Sequence, residues 1–337
     1  MTLPGFLSAF SYREYRLLWI GAFLSSLGTW TQDVALAWLI YTLMGNPFYL
    51  GLHTFLGQAP LIAFMLVGGA MADRVDRRAI LIASNVLQMT FAAALGLLYV
   101  TGHLGIVAIL AAAFLTGLAQ SQSAPTYQAV LTSVVPPPQI PHAVALNSLQ
   151  FNLSRAIGPV IAGVLLARGG TGTCFAVNTV SFVAVIIAAA LIRLPPPPTA
   201  PAGETLRQSL NAGFRFVIRH PTLSVLTLMG AAGSFLAFPL ITYLPVMARD
   251  VLQSGATGYS MLLTSFGVGA IVGALATAQR GNVPGRGRAL LLFFVAYGTA
   301  ALLAMASRQQ MVSMVLLFAA GFFMVCGFST LNSLVQE

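Results

Sequence analysis

Apolar runs of about 20 residues, each closed by a short polar stretch, recur ten times along this chain, roughly at 17–43, 48–72, 79–100, 104–131, 142–167, 174–194, 222–248, 257–279, 289–306 and 311–335. A helical run of that length, rising ~1.5 Å per residue, crosses the ~30 Å hydrocarbon layer of a bilayer. The pattern therefore predicts ten transmembrane helices with both ends on one side. Arg13, Arg16, Arg74, Arg77, Arg78, Arg193, Arg207, Arg215, Arg219, Arg280, Arg286 and Arg288 flank the runs on the side of the N-terminus, against Arg168, Arg249 and Arg308 opposite. Cytoplasmic connections carry the excess of positive charge, so the N-terminus is expected in the cytoplasm.

The longest interruption runs from 195 to 221 and opens on Pro195-Pro196-Pro197-Pro198, a stiff extended spacer. Leu206, Leu210, Phe214 and Val217 follow at helical spacing with Arg207, Asn211, Arg215 and Arg219 on another face, as in a helix lying on an anionic leaflet or a solvated linker. An offset of 204 residues superposes Phe10 on Phe214, Gly69 on Gly273 and Thr126 on Thr330. The expected domains are a six-helix bundle over 1–194, the linker 195–221, and the first four helices of a second, parallel bundle over 222–337. Carrying the offset to the end of helix 6 predicts a complete protein of roughly 400 residues, two helices longer than this chain.

Composition narrows the class. Charged residues make up 7% of the chain and hydrophobic ones 58%, with a mean hydropathy of +0.86; a soluble domain carries roughly 25% charge. All 16 basic residues are arginine, so a phosphate loop that requires lysine is absent and energy must come from a gradient or a partner. The net charge of +9 marks loops rather than a basic stripe, which excludes nucleic acid as a partner. Cys174 and Cys326 have neither metal-ligand spacing nor a disulfide pattern and read as small core residues. No metal, cofactor or cleaved leader is expected. An intramembrane enzyme is set aside because no histidine or second acid stands at the depth of Ser234.

Two stretches carry a family resemblance. The end of helix 2, Gly68-Gly69-Ala70-Met71-Ala72-Asp73-Arg74-Val75-Asp76-Arg77-Arg78, resembles the signature of the major facilitator superfamily, with Asp76 where many members have glycine. Helix 5 holds Ser154-Arg155-Ala156-Ile157-Gly158-Pro159-Val160-Ile161-Ala162-Gly163, similar to the exporter motif of that superfamily, and the stretch from Ala143 to Gly163 resembles the branch of enterobactin exporters and macrolide efflux proteins. The resemblance implies the major facilitator fold, two pseudo-symmetric six-helix halves with the second incomplete. It implies export of a bulky drug, macrolide or siderophore-like solute by alternating access, with proton antiport, in a monomer. It also makes Gly69, Asp73, Arg74, Arg77 and Arg78 a conformational latch, which in the second half is degenerate, with Thr277 in place of Asp73. A non-transporting receptor on the same fold, or an inactive fragment, remains open.

The residues themselves suggest the chemistry. Asp33 in helix 1 and Arg155 in helix 5 are charges inside spans; each costs about 2.5–3.5 kcal/mol at a lipid-facing helix centre, so they are expected to face the interior, at similar depths, as a pair. Asp33 would be the protonation switch and Arg155 its counter-ion, for which the substrate competes, or the two form a static buried pair that only orients the helices. Gly158 and Gly163 would let helix 5 pack closely on Gly267, Gly269 and Gly273 of helix 8, with a kink at Pro159. Gln32, Gln58, Gln120, Gln122, Asn147, Gln150 and Asn152 are candidates to line a wet cleft between the halves, with Trp30 and Phe151 as its aromatic wall.

Overall fold

The computed structural model of the protein describes residues 5–72, 75–194, 219–280 and 285–335. A 3-10 segment, Gly5–Ser11, leads into α1 (Arg13–Met44), followed by α2 (Phe48–Ala72), α3 (Arg77–Val100), α4 (Ile106–Ser133) and α5 (Ile140–Leu191). Then come α6 (Pro221–Thr242), α7 (Gly255–Arg280), α8 (Arg286–Ala306) and α9 (Gln310–Val335), with the turn Leu244–Val246 and a π turn, Met247–Val251, after α6. The described residues contain no strand. Six stretches among them are long and apolar enough to cross a membrane. The chain divides into two compact units, Met1–Ala202 and Gly203–Glu337. The amphipathic stretch 206–217, Phe214 included, lies outside the described residues.

Local chemistry sets the helix ends. Gly45 closes α1 in the left-handed region at φ 60°, its N–H bonded to the carbonyl of Tyr41, the conformation that glycine adopts without a Cβ penalty. Asp76 caps α3 by accepting from the Arg78 N–H at 3.0 Å. Helix 7 was expected to reach 248; α6 instead ends at Thr242, just past Pro239, and the chain tightens into the π turn.

The expected helices 5 and 6 are the two limbs of α5, parted at Gly170, where the backbone leaves helical φ/ψ (φ 71°, ψ −173°). The Thr173 hydroxyl donates to the carbonyl of Gly170 at 2.7 Å. The direction of the chain reverses there, as contacts with α1 demonstrate. In the first limb, 140–169, partners rise together: Tyr15 Oη donates to the Ala143 carbonyl (3.0 Å), Trp19 Nε1 to Leu146 (2.9 Å), and Thr31 Oγ1 to Gly158 (3.3 Å), while Gln150 Nε2 donates to Ala22 (3.3 Å). In the second limb, 171–191, they run oppositely: Gly21 lies under Ala188 and Val185, Gly28 under Ser181 and Asn178. Thus α1 is clasped between a parallel and an antiparallel limb. The second limb also seats α3, through Phe182 and Val185 on Ala92 and Phe175 on Gly96 and Tyr99. Pro159, expected to kink the helix, leaves its dihedrals helical. Cys174 and Cys326 are buried, as small core residues.

Within each unit a second helix pair meets backbone to backbone. A methyl group built on Gly117 of α4 would overlap the Gly57 carbonyl of α2. In the other unit, methyls on Gly269 and Gly321 would overlap the carbonyls of Phe318 and Phe266, joining α7 to α9, with Gly273 on Phe322 beside them. Gly117 and Gly321 are 204 residues apart, the offset of the sequence repeat. Small residues permit this approach where lipid gives no hydrophobic driving force between helices. Gly269 and Gly273 therefore belong to the α7–α9 contact, and Gly158 packs on Trp30 and Thr31 of α1. A glycine stripe reveals a close approach but not its partner.

Gly269→Ala is expected to destabilise the protein by about 1–3 kcal/mol, as overpacking does. Gly298→Ala, in α8 with open space around it, is expected to lose nothing. Thermal unfolding of both variants in detergent checks the contrast.

Candidate functional site

The parallel register of α1 and the first limb of α5 places the candidate residues. Phe151 and Asn152 stand four and three residues before Arg155, each one turn from it and sharing a helix face with it. On α1, Trp30 and Asp33 have the same spacing. The Trp30 and Phe151 rings meet edge to face with centroids 6.0 Å apart, and Phe151 is half-exposed. Asp33 is exposed and Arg155 half-buried.

The expected ion pair is absent in this structure: no ion pair within 4 Å joins Asp33 and Arg155, and the Arg155 guanidinium donates from Nη2 to Asn152 Oδ1 at 3.4 Å. The register explains the separation. Residues of α1 lie beside residues about 128 higher in α5, so Arg155 is level with position 27, and Asp33 stands six residues farther along, roughly 9 Å. Counting from the ends of the spans made the depths look equal, because α1 begins earlier than hydropathy indicates.

Above this face lies a polar cluster that only partly matches expectation. Asn178 of the second limb, 2% exposed, donates from Nδ2 to Gln32 Oε1 at 2.9 Å and accepts at Oδ1 from Ser181 (3.2 Å) and Thr29 (3.5 Å). Gln32 was anticipated; Asn178, Thr29 and Ser181 were not. The cost of an unpaired amide in hydrocarbon, which singled out Gln32, applies equally to Asn178 and would have found it.

The other candidates scatter. Gln150 is buried and bonds to the Ala22 carbonyl and to Ser154, serving the α1–α5 seam. Gln122 donates to Ser121 Oγ at 3.2 Å, while its buried Oε1 has no protein partner. Gln58 is exposed on α2, and Gln120 and Asn147 are half-buried on α4 and α5. Gly158 and Pro159 are buried, Gly163 half-buried. Of the latch, Asp73 and Arg74 lie outside the described residues; Gly69 sits in the last turns of α2 and Arg77 opens α3. Arg78 donates to the Ile192 carbonyl, which closes the second limb. In α7, Thr277 turns back on its own helix, donating to Gly273 and Ala274.

The second unit holds an apolar cavity of about 570 Å³ between α6 and α8, lined by Met229, Gly233, Tyr243, Phe294, Tyr297 and Met305 among others. The Tyr297 hydroxyl is buried without a partner among the described residues. Among the described residues no group of histidine, cysteine and acidic side chains could hold a metal.

Comparison with known proteins gives a consistent family. A family profile described as transmembrane secretion effector matches residues 5–337. The staphyloferrin A transporter of Staphylococcus aureus is 26% identical over 259 residues, 75% of this chain and 64% of that protein. An enterobactin exporter of Shigella boydii is 27% identical over 284 residues, 84% of this chain and 67% of that one. The chain thus spans about two thirds of the length of these relatives. Among solved structures, a bacterial homologue of the human lysosomal transporter Spinster, inward-facing and unoccupied, superposes with a TM-score of 0.70 at 15% identity, covering 96% of this chain and 75% of that one. That likeness establishes the major facilitator fold. These relatives are transporters rather than enzymes.

Replacing Asn178 with leucine removes the donor that holds Gln32 and is expected to destabilise the first unit by about 1–2 kcal/mol, the worth of interhelical amide bonds in membranes. Val180→Leu, at a 68% exposed position on the same limb, serves as the neutral control in thermal unfolding.

Proposed function

We propose, from the premise that this chain belongs to the transmembrane secretion effector family of the major facilitator superfamily, that it exports a bulky organic solute across the bacterial inner membrane by alternating access and proton antiport. The solute is a drug, macrolide or siderophore-like molecule. Export is supported by the family match over nearly the whole chain and by relatives that carry siderophores. The N-terminus is assigned to the cytoplasm from the arginine distribution.

The observation that carries the mechanism is the pair of unlike charges, Asp33 and Arg155, kept on neighbouring helices of a membrane protein without neutralising each other. Intramembrane charges are expensive and are retained for function. In the proposed cycle a proton neutralises Asp33 while the solute occupies Arg155; release of the solute frees the arginine to stabilise the carboxylate when the proton leaves. Gly69, Asp73, Arg74, Arg77 and Arg78 form the latch that holds one conformation, Arg78 by anchoring α3 to the end of the second limb. The halves rock about a cleft to which Gln32, Gln58, Gln120, Gln122, Asn147 and Asn152 contribute polar groups. The protein acts as a monomer in this reading.

In everted vesicles containing the full chain, a gradient acid inside is expected to drive accumulation of a macrolide or siderophore. Asp33→Asn is expected to cut that accumulation at least tenfold, with no loss of gradient-independent binding. Equal accumulation by variant and wild type removes Asp33 as the coupling group; absence of gradient-driven accumulation in the wild type removes antiport.

A further inference from the structure

The surroundings of Arg155 define what it can take. Its guanidinium has five N–H donors, and the hydrogen bond to Asn152 Oδ1 engages one of its two terminal nitrogens. The Asn152 amide is fixed at its other end: Nδ2 donates to the Ser148 carbonyl at 2.9 Å, which turns Oδ1 toward the arginine. An amide oxygen orients a cation without cancelling its charge. Among the described residues no carboxylate lies within 4 Å of Arg155, and Asp33 stands about six residues along the seam. A charge in this medium still calls for a counter-charge, and a guanidinium fork matches a two-oxygen anion in bidentate fashion. Beside it, the half-exposed Phe151 ring, one turn away on the same limb and braced edge to face by Trp30, offers an apolar surface to a flat group.

We infer that Arg155, aimed by Asn152, is the anion-binding point of the first unit, and that its ligand is an organic anion bearing a carboxylate, phenolate or sulfonate on an aromatic body. This deepens the exporter reading, on which it rests, by naming the charge of the solute. Asn152 is the positioning residue: it touches the arginine rather than the ligand. Its neutrality is what the function requires, since an aspartate there would occupy the guanidinium permanently. The site is organised before the ligand arrives, because Trp30 is pinned by Gly158 and the limb by the hydrogen bonds along α1.

The test compares an anion with its neutral near-isostere. Isothermal titration of the purified full chain in detergent measures binding of 1-naphthoate and of 1-naphthamide. The wild type is expected to prefer the anion at least tenfold. Asn152→Asp, which keeps the shape, and Arg155→Gln should each bring the two affinities within twofold, whereas Asn152→Ala should retain a reduced preference of a few fold. Should Arg155→Gln fail to fold, the isosteric Asn152→Asp alone decides. Affinities within twofold in the wild type, or a tenfold preference surviving in Asn152→Asp, overturn the proposal. Binding is read without a gradient. Lost preference with intact Asp33-dependent transport therefore refutes the anion site alone, and lost coupling with intact preference refutes only the antiport reading.

Discussion

Hydrogen bonds from side chains on α1 and α5 to the main chain of the other helix are the interactions on which the first unit depends. Tyr15, Trp19, Thr31 and Gln150 each place a donor on a carbonyl across the seam. In water such bonds are worth about 1 kcal/mol and can be exchanged for solvent. Within a bilayer there is no solvent to take over, so a slip of one residue would leave four donors stranded. The seam therefore has a fixed register, and Trp30, Phe151, Arg155 and Asp33 inherit their spacing from it.

The reversal at Gly170 makes the clasp possible. A straight helix of 52 residues would run ~78 Å, more than twice the hydrocarbon thickness, so α5 must fold back, and the positive φ at the turn is one that glycine alone adopts cheaply. The second limb then covers the opposite side of α1 and brings Asn178 to Gln32. Within the first unit α1 is held to α5 by polar contacts, whereas the α2–α4 pair there and the α7–α9 pair of the second unit are held by glycine-mediated backbone approach. Both devices replace the hydrophobic effect, which has little purchase between helices already surrounded by lipid.

The sequence disclosed the spans well because hydropathy measures the property that decides them. It disclosed the repeat too, in that Gly117 and Gly321 do the same work 204 residues apart. Partners were harder to read. Gly158 and Gly269 both advertise close contact, yet which helix each meets depends on the rotation of helices about their axes, and the near-uniform hydropathy of these helices leaves that rotation unspecified. Depth failed for a related reason: polar residues at the start of α1, such as Arg13 and Arg16, hide its true beginning, and an error of a few residues moves a charge by several ångström. Asn178 was legible by the same desolvation argument that identified Gln32.

The separation of Asp33 from Arg155 has a consequence for how a charge can be used in a membrane. Two unit charges at 4 Å attract by about 4 kcal/mol at an effective dielectric of 20, so a standing ion pair would oblige a ligand to overcome that attraction before it could bind. A hydrogen bond to a neutral amide is worth about 1–3 kcal/mol even when one partner is charged, enough to orient a guanidinium and too little to sequester it. In the proposed cycle, holding the carboxylate at a distance keeps both charges responsive, the one to a proton and the other to an anion. In that reading the rigidity of the seam keeps the two apart, so that the spacing set by four main-chain hydrogen bonds serves the proposed exchange as well as the packing.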